Sequence, residues 1–295
     1  MPASAPQTPQ TTQMTDTMPI TIIRANSPWW KINFHEIFEY RDLLMLIVKR
    51  DLTAVYKQTI LGPLWFVIQP LITTIVFTVI FGNIAKIDVG DTPHFIFYMS
   101  GLVFWNYFNN ILNHGANALV SNSSLMRKVY FPRLIIPLSG VITQLAHLAL
   151  NFVTFIAFYV WYLSQGAGLE PNKWLFLIPI LIFQCALMGM GFGLWISSMT
   201  IKYRDLRFAL PFLSQLWMYA TPIVYPASLV VTPLYKKILW LNPMTAVVET
   251  ARYGFTGQHK PILSGIGLSW VVTLTVLLSG VMLFNRVQRT FVDTV

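Results

Sequence analysis

Asp, Glu, Lys and Arg are missing from six long stretches of this chain: Gln58 to Ala85, Thr92 to Met126, Leu134 to Leu169, Trp174 to Ile201, Phe208 to Tyr235, and Pro261 to Asn285. Each can hold the ~20 apolar residues that carry a helix across the hydrocarbon core of a bilayer. The runs are continuously apolar, without the period-2 alternation of a membrane β-strand, so helices are the expected element. Composition agrees. Hydrophobic residues make up 55% of the 295 and charged residues 11%, where a soluble domain carries about 25% charged. That balance excludes a soluble globule and a disordered chain alike. The expected fold class is an all-α integral membrane protein with six transmembrane helices, over 62–82, 95–116, 136–163, 174–199, 208–226 and 263–285. Pro63 and Pro70, early in the first span, predict a kink.

Orientation follows from the basic residues. With six spans both termini share one side. Placing them in the cytoplasm puts 14 of the 20 Lys and Arg there, among them Arg24, Lys31, Arg41, Lys49, Arg50, Lys57, Arg127, Lys128, Arg133, Lys202, Arg204, Arg207, Arg286 and Arg289. The positive-inside rule therefore gives N-in, C-in. The net charge of +9 is explained by these loops and by anionic headgroups, and nucleic acid is not an expected partner. Residues 1–23 lack Lys and Arg and are rich in Thr, Gln and Pro. They read as a disordered cytoplasmic tail rather than a signal peptide. Residues 290–295 read as a short cytoplasmic C-tail.

Three segments outside the spans carry further pattern. Within the cytoplasmic segment 24–57, residues 33–52 place Phe34, Ile37, Phe38, Leu44 and Ile47 near one helical face. Asn33 with Glu36 resembles a capping box. The expectation is an amphipathic helix along the membrane surface. Residues 121–131 form a short helix capped by Ser121 or Asn122 and stopped by Pro132. They are either an ordinary basic turn or a docking element for a partner. The loop 227–262 contains two short helices broken at Asn242-Pro243, with Asn242 as cap and Pro243 at the first helical position. Neither piece can span, and a re-entrant external hairpin is expected. Glu249, the one acid in that loop, has Lys or Arg at hand for pairing.

The chemistry absent from the sequence is equally informative. None of the 11 acids falls within an expected span, so an ion-coupled carrier would have to use His114 or His147. There is no P-loop and no zincin or nucleophile-elbow motif. A single cysteine, Cys185, excludes an intrachain disulfide or Cys-rich metal site. No metal ligand set and no cofactor are expected. A membrane-embedded glycosyl- or acyltransferase would depend on the loop acids Asp88, Asp91, Glu170 and Glu249. Rings are abundant within the spans, including Trp65, Phe77, Tyr98, Trp217 and Tyr219. They can pack against lipid, form interfacial belts, or stack on sugars in a conduit. Gly189-Met-Gly-Phe-Gly193 permits close helix packing.

Residues 39–82, EYRDLLMLIVKRDLTAVYKQTILGPLWFVIQPLITTIVFTVIFG, closely resemble the permease subunit of ABC-2 type polysaccharide exporters. The likeness continues through RKVYFPRLIIPLS (127–139), KYRDLRFALPFLSQLWMYATPIVYP (202–226) and LNPMT (241–245), in the family's order. The resemblance implies a permease pairing with a second copy of itself. It also implies two separate nucleotide-binding subunits that hold ATP and Mg, in a bacterial inner membrane. The implied substrate is a polyprenyl-pyrophosphate-linked glycan of the O-antigen type. A drug or simple lipid is the alternative cargo. By the same resemblance, 33–52 is an interface helix. Leu125, Met126, Arg127, Lys128, Val129 and Tyr130 form an ATPase-coupling helix. Lys49, Arg50 and Lys57 would receive the pyrophosphate at the entrance. Trp240, Asn242, Pro243 and Glu249 would belong to the external gate, and the five rings above to the conduit.

Overall fold

The computed structural model describes residues 34–57 and 61–294. The expected N-terminal tail and Asn33 lie outside the described residues. Among those described, the elements are α1 (Phe34–Glu39), α2 (Arg41–Lys57), α3 (Trp65–Phe77), α4 (His94–Ser121), α5 (Ser123–Lys128), α6 (Ile135–Ser164), α7 (Ile178–Thr200), α8 (Leu206–Ala220), α9 (Pro233–Leu241), α10 (Pro243–Thr256) and α11 (Leu263–Thr294), with four short 3-10 or π segments between them. The chain is all-helical there, and it is a multi-pass membrane protein. Among the described residues, four helices are long and apolar enough to cross a bilayer: Trp65–Ile84, Ile135–Ser164, Lys173–Thr200 and Leu263–Gln288.

The other two expected spans differ for physical reasons. The helix α4 has 28 residues, about 42 Å at 1.5 Å per residue, which is ample to cross. It is less apolar because Asn106, Asn109, Asn110, Asn113 and Asn117 interrupt it. The helix α8 stops at Ala220 instead of continuing to 226. Its 15 residues reach about 22 Å, short of a ~30 Å hydrocarbon core. Pro222 follows at once, and Thr221–Val224 continue as buried non-helical chain. The last helix runs on to Thr294, so the expected C-tail is helical. The helix α3 carries Pro70 in its interior, and Thr74 Oγ1 donates to the Pro70 carbonyl at 2.8 Å. The departure from α geometry comes later, in a π segment over Thr78–Ile84.

The core is built around α4, which packs on α3, α6, α7, α8 and α10, while α7 also packs on α11. Three glycines of α7 make this possible. Gly189 and Gly193 share one face and meet α4: a Cβ on Gly193 would lie 3.0 Å from Gly115 Cα. Gly191 points the other way, where a Cβ would lie 2.8 Å from the Leu277 backbone N of α11. Small residues thus let three backbones touch, which is how helices associate when the solvent is itself apolar.

The helix α2 is anchored rather than free. Leu44, Ile47 and Val48 bury against Phe131, Ala118, Ile135 and Ile136. Phe38, expected on this face, is instead exposed, with the Arg41 guanidinium over its ring at 5.3 Å. A turn at Tyr40 separates α1 from α2, while the Tyr40 N–H still donates to the Glu36 carbonyl at 3.3 Å and the Leu44 N–H to the Tyr40 carbonyl at 3.0 Å.

Replacing Gly193 by Leu should separate α7 from α4 and lower thermal stability in detergent by more than the ~1–3 kcal/mol typical of overpacking. Gly267→Leu serves as the control, because nothing lies within 4 Å of its would-be Cβ. Its melting curve should match the parent.

Candidate functional site

The most organised polar centre lies where α10 meets the unwound end of α8. Arg252 is 1% exposed. Its Nη1 donates to Glu249 Oε1 at 2.8 Å and to the Pro222 carbonyl at 2.9 Å. Its Nη2 donates to the Ile223 carbonyl at 3.3 Å. The guanidinium also sits over the Phe97 ring at 3.6 Å. Glu249 Oε1 accepts from the Ala227 backbone N–H at 3.4 Å. Burial pushes the Glu249 carboxyl above the usual carboxylate range, and Arg252 opposes that shift. The Arg252 guanidinium is likewise lowered by burial and held up by Glu249. Two carbonyls released where α8 unwinds are thus satisfied by one guanidinium, whose fork geometry suits several acceptors.

Asn242 organises the other side of the same junction. Its Oδ1 accepts the Met244 N–H at 3.1 Å, capping α10 as expected. The same oxygen accepts Trp217 Nε1–H at 3.0 Å, and Nδ2 donates to Thr221 Oγ1 at 2.9 Å. At the far end of α10, Tyr159 OH donates to the Phe255 carbonyl at 2.7 Å. Asn172 Nδ2 donates to the Tyr253 carbonyl at 2.7 Å, and Gly257 closes the helix at φ 72°. Every residue of α10 except Tyr253 is buried. The expected hairpin therefore divides: α10 is enclosed by protein with both ends satisfied, and α9 stays at the surface with only Leu239 buried. Trp240 packs against Gly265.

The expected conduit rings also divide. Trp65 is 48% exposed and Tyr219 44% exposed. Tyr98 and Phe77 are buried within the chain and present no open face. Trp217 is half-buried and packs edge-on against Phe108 and Phe192 at ring centroid distances of 5.0 Å and 4.9 Å.

At the other end of the molecule, α5 is a single short helix with a projecting tip. Lys128, Val129 and Tyr130 are exposed, Tyr130 at 67%. Met126 packs inward, as does Leu125. The Arg127 side chain lies outside the described ones. The helix ends at Lys128, three residues earlier than expected. Asn122 does not cap it through its side chain. That amide instead donates to the Ala118 carbonyl at 3.2 Å and accepts from Arg50 Nη2 at 3.2 Å. Arg133 Nη1 donates to the Gln288 carbonyl of α11. Among the entrance cations, Lys49 and Lys57 are exposed. Arg50 is already paired with Asp51 at 2.8 Å.

Several of the residues required by the alternative readings have other engagements. Glu249 is held by Arg252, and Asp88 Oδ1 accepts the Gly90 N–H at 2.9 Å within a turn. His147 Nδ1 lies 2.9 Å from Gln144 Oε1, and its ring stacks on Phe66. His114 Nε2 lies 3.7 Å from Asp51 Oδ2. Sequence reasoning missed Arg252, although its position three residues after Glu249 on one helix was the available signal.

Comparison with known proteins is consistent across the chain. Residues 42–256 match the family model described as ABC-2 type transporter. The O-antigen export system permease protein RfbA of Myxococcus xanthus is 25% identical over 88% of this chain and 98% of its own length. A protein of the same name from Klebsiella pneumoniae is 26% identical over 85% of this chain and 94% of its own. The polysialic acid transport protein KpsM of Escherichia coli is 23% identical over 80% and 90% respectively.

Arg252→Met should destabilise the chain more than Glu249→Gln. The first strands a buried carboxylate and two carbonyls, at about 3–5 kcal/mol for the broken pair alone. The second keeps a neutral acceptor in place. Thermal unfolding of the two variants in detergent reads the difference, and equal midpoints would contradict the bridging role.

Proposed function

The chain belongs to the ABC-2 type transporter family, and from that membership we propose that it is the membrane permease of an ATP-driven exporter of polysaccharide. The observation that carries this is the near end-to-end likeness to relatives named for O-antigen export and polysialic acid transport. No P-loop occurs in the sequence, so nucleotide hydrolysis falls to separate ATPase subunits. Two copies of the chain form the conduit, with both termini in the cytoplasm and six membrane segments, the fifth made of α8 and its unwound extension. The cargo is a glycan on a polyprenyl pyrophosphate carrier, and the membrane is the bacterial inner membrane.

The geometry supports a division of labour. The tip Lys128-Val129-Tyr130 projects from a base fixed to α2 and α6, as a docking element must. Tyr130 has the amphipathic ring suited to a cleft on an ATPase subunit. ATP-driven closure of two such subunits displaces the tips and moves the helix bundles as rigid bodies. Lys49 and Lys57, exposed on α2, are free to meet an anionic headgroup at the entrance. Trp65 and Tyr219 offer open ring faces for stacking on sugars, an interaction loose enough to allow sliding. Asn242, Glu249 and Arg252 hold the external end in shape.

Tyr130→Ala should weaken association with the ATPase subunit by roughly 2 kcal/mol, the cost of removing an aromatic anchor. Co-purification and ATPase coupling should fall while the permease melts normally, since the ring is exposed. Undiminished coupling would contradict the docking role. Trp65→Ala and Tyr219→Ala should slow export more for long glycans than for short ones, read as the chain-length distribution at the cell surface.

A further inference from the structure

One face of α4 is polar at a helical period. Asn106, Asn110, Asn113, Asn117 and Ser121 fall at successive intervals of three or four residues, and each is at least partly exposed. Beside them a recess of about 520 Å³ opens, lined by Asn110, Asn113, His114 and Asn117 of α4, Gln144 of α6 and Arg207 of α8, among others. Part of the row is pre-ordered. Asn113 Nδ2 donates to the Asn109 carbonyl at 2.8 Å and to Asn109 Oδ1 at 3.0 Å. Asn117 Nδ2 donates to the Asn113 carbonyl at 2.9 Å, and Asn117 Oδ1 accepts Arg207 Nε–H at 3.3 Å.

A face of this kind is not a lipid face. Each unpaired amide placed in hydrocarbon would cost about 4–8 kcal/mol. The row runs from the middle of α4 to its end at the basic loop, so it meets either water, a polar ligand, or protein. The lining contains no carboxylate, so it is not built for a cation. Primary amides both donate and accept, as sugar hydroxyls do. Rungs one helical turn apart, ~5.4 Å along the axis, let a chain exchange partners as it advances.

We infer that the asparagine row of α4, with Gln144 and Arg207, is a hydrogen-bonding track for the hydroxyls of the exported glycan. It complements the open rings of Trp65 and Tyr219 with direction-dependent contacts. The inference rests on the export function proposed above, and it specifies a hydroxyl-rich saccharide rather than an apolar drug or lipid tail.

The test uses the full chain co-expressed with its ATPase, in a Cys185→Ala background, with Asn110→Cys, Asn113→Cys, Asn117→Cys and the outward-facing α6 control Val153→Cys. Inside-out vesicles are treated with a membrane-impermeant cationic methanethiosulfonate. Cysteines at 110, 113 and 117 should react and the one at 153 should not. Failure of all three to react would overturn the track, and oxidative cross-linking between copies at these positions would assign the row to a subunit interface instead. In a second arm, Asn110→Leu and Asn113→Leu should each cut surface glycan about tenfold, with ATPase association and melting unchanged. Normal export in both would also overturn it. An unsubstituted chain that neither binds an ATPase nor exports glycan would overturn the export function and this track with it.

Discussion

In hydrocarbon a backbone carbonyl has no water to accept from, and this constraint governs the part of the molecule most unlike a simple helix bundle. The helix α8 is too short to cross, and Pro222 prevents its continuation. The chain that follows is buried and must find donors inside the protein. Arg252 supplies them. Burying a guanidinium is itself costly, and Glu249 and the Phe97 ring offset that cost. The enclosed helix α10 therefore exists because α8 ends early. One element carries the donors that the other lacks.

The same requirement shapes the ends of α10. Asn242 caps its N-terminus and at once ties down Trp217 and Thr221 of the α8 junction. Tyr159 and Asn172 donate to carbonyls near its C-terminus. The C-terminal end of α8 and both ends of α10 are thereby fixed to neighbours. A packed core built on close backbone contacts among α4, α7 and α11 lies beside them. Such packing resists internal deformation, as the bundle motion proposed above requires.

The long spans were legible from the absence of charge alone, since hydrocarbon excludes charges whatever the tertiary arrangement. The cap at Asn242 was legible because Asn-Pro is a local signal. The length of α8 was not. An apolar run reads the same whether helical or unwound, and the donor that permits unwinding lies 30 residues away. The rings failed to sort for a related reason. Tyr98 and Tyr219 are alike in sequence, yet one is sealed in the core and the other open. The asparagine row was not singled out in the sequence, although its residues recur at a helical period. Its significance depends on Gln144 and Arg207 arriving from other helices.

A displacement applied at Tyr130 has few places to dissipate. The tip is continuous with Phe131, which is buried against Leu44, Ile47 and Val48 of α2 and against Ile135 and Ile136 of α6. Two residues further, Arg133 reaches the carbonyl of Gln288 in α11. Behind the tip, Asn122 ties the start of α5 to Ala118 of α4 and to Arg50 of α2. Five helices and the tip therefore share one anchorage, across the short non-helical stretch 129–134. Asp51, beside Arg50, faces His114 at the edge of the polar recess. Contacts thus run from the tip to the wall of the asparagine row. The docking role and the export function proposed above call for such a connection, because a polymer held by many weak contacts advances only if the surface holding it moves.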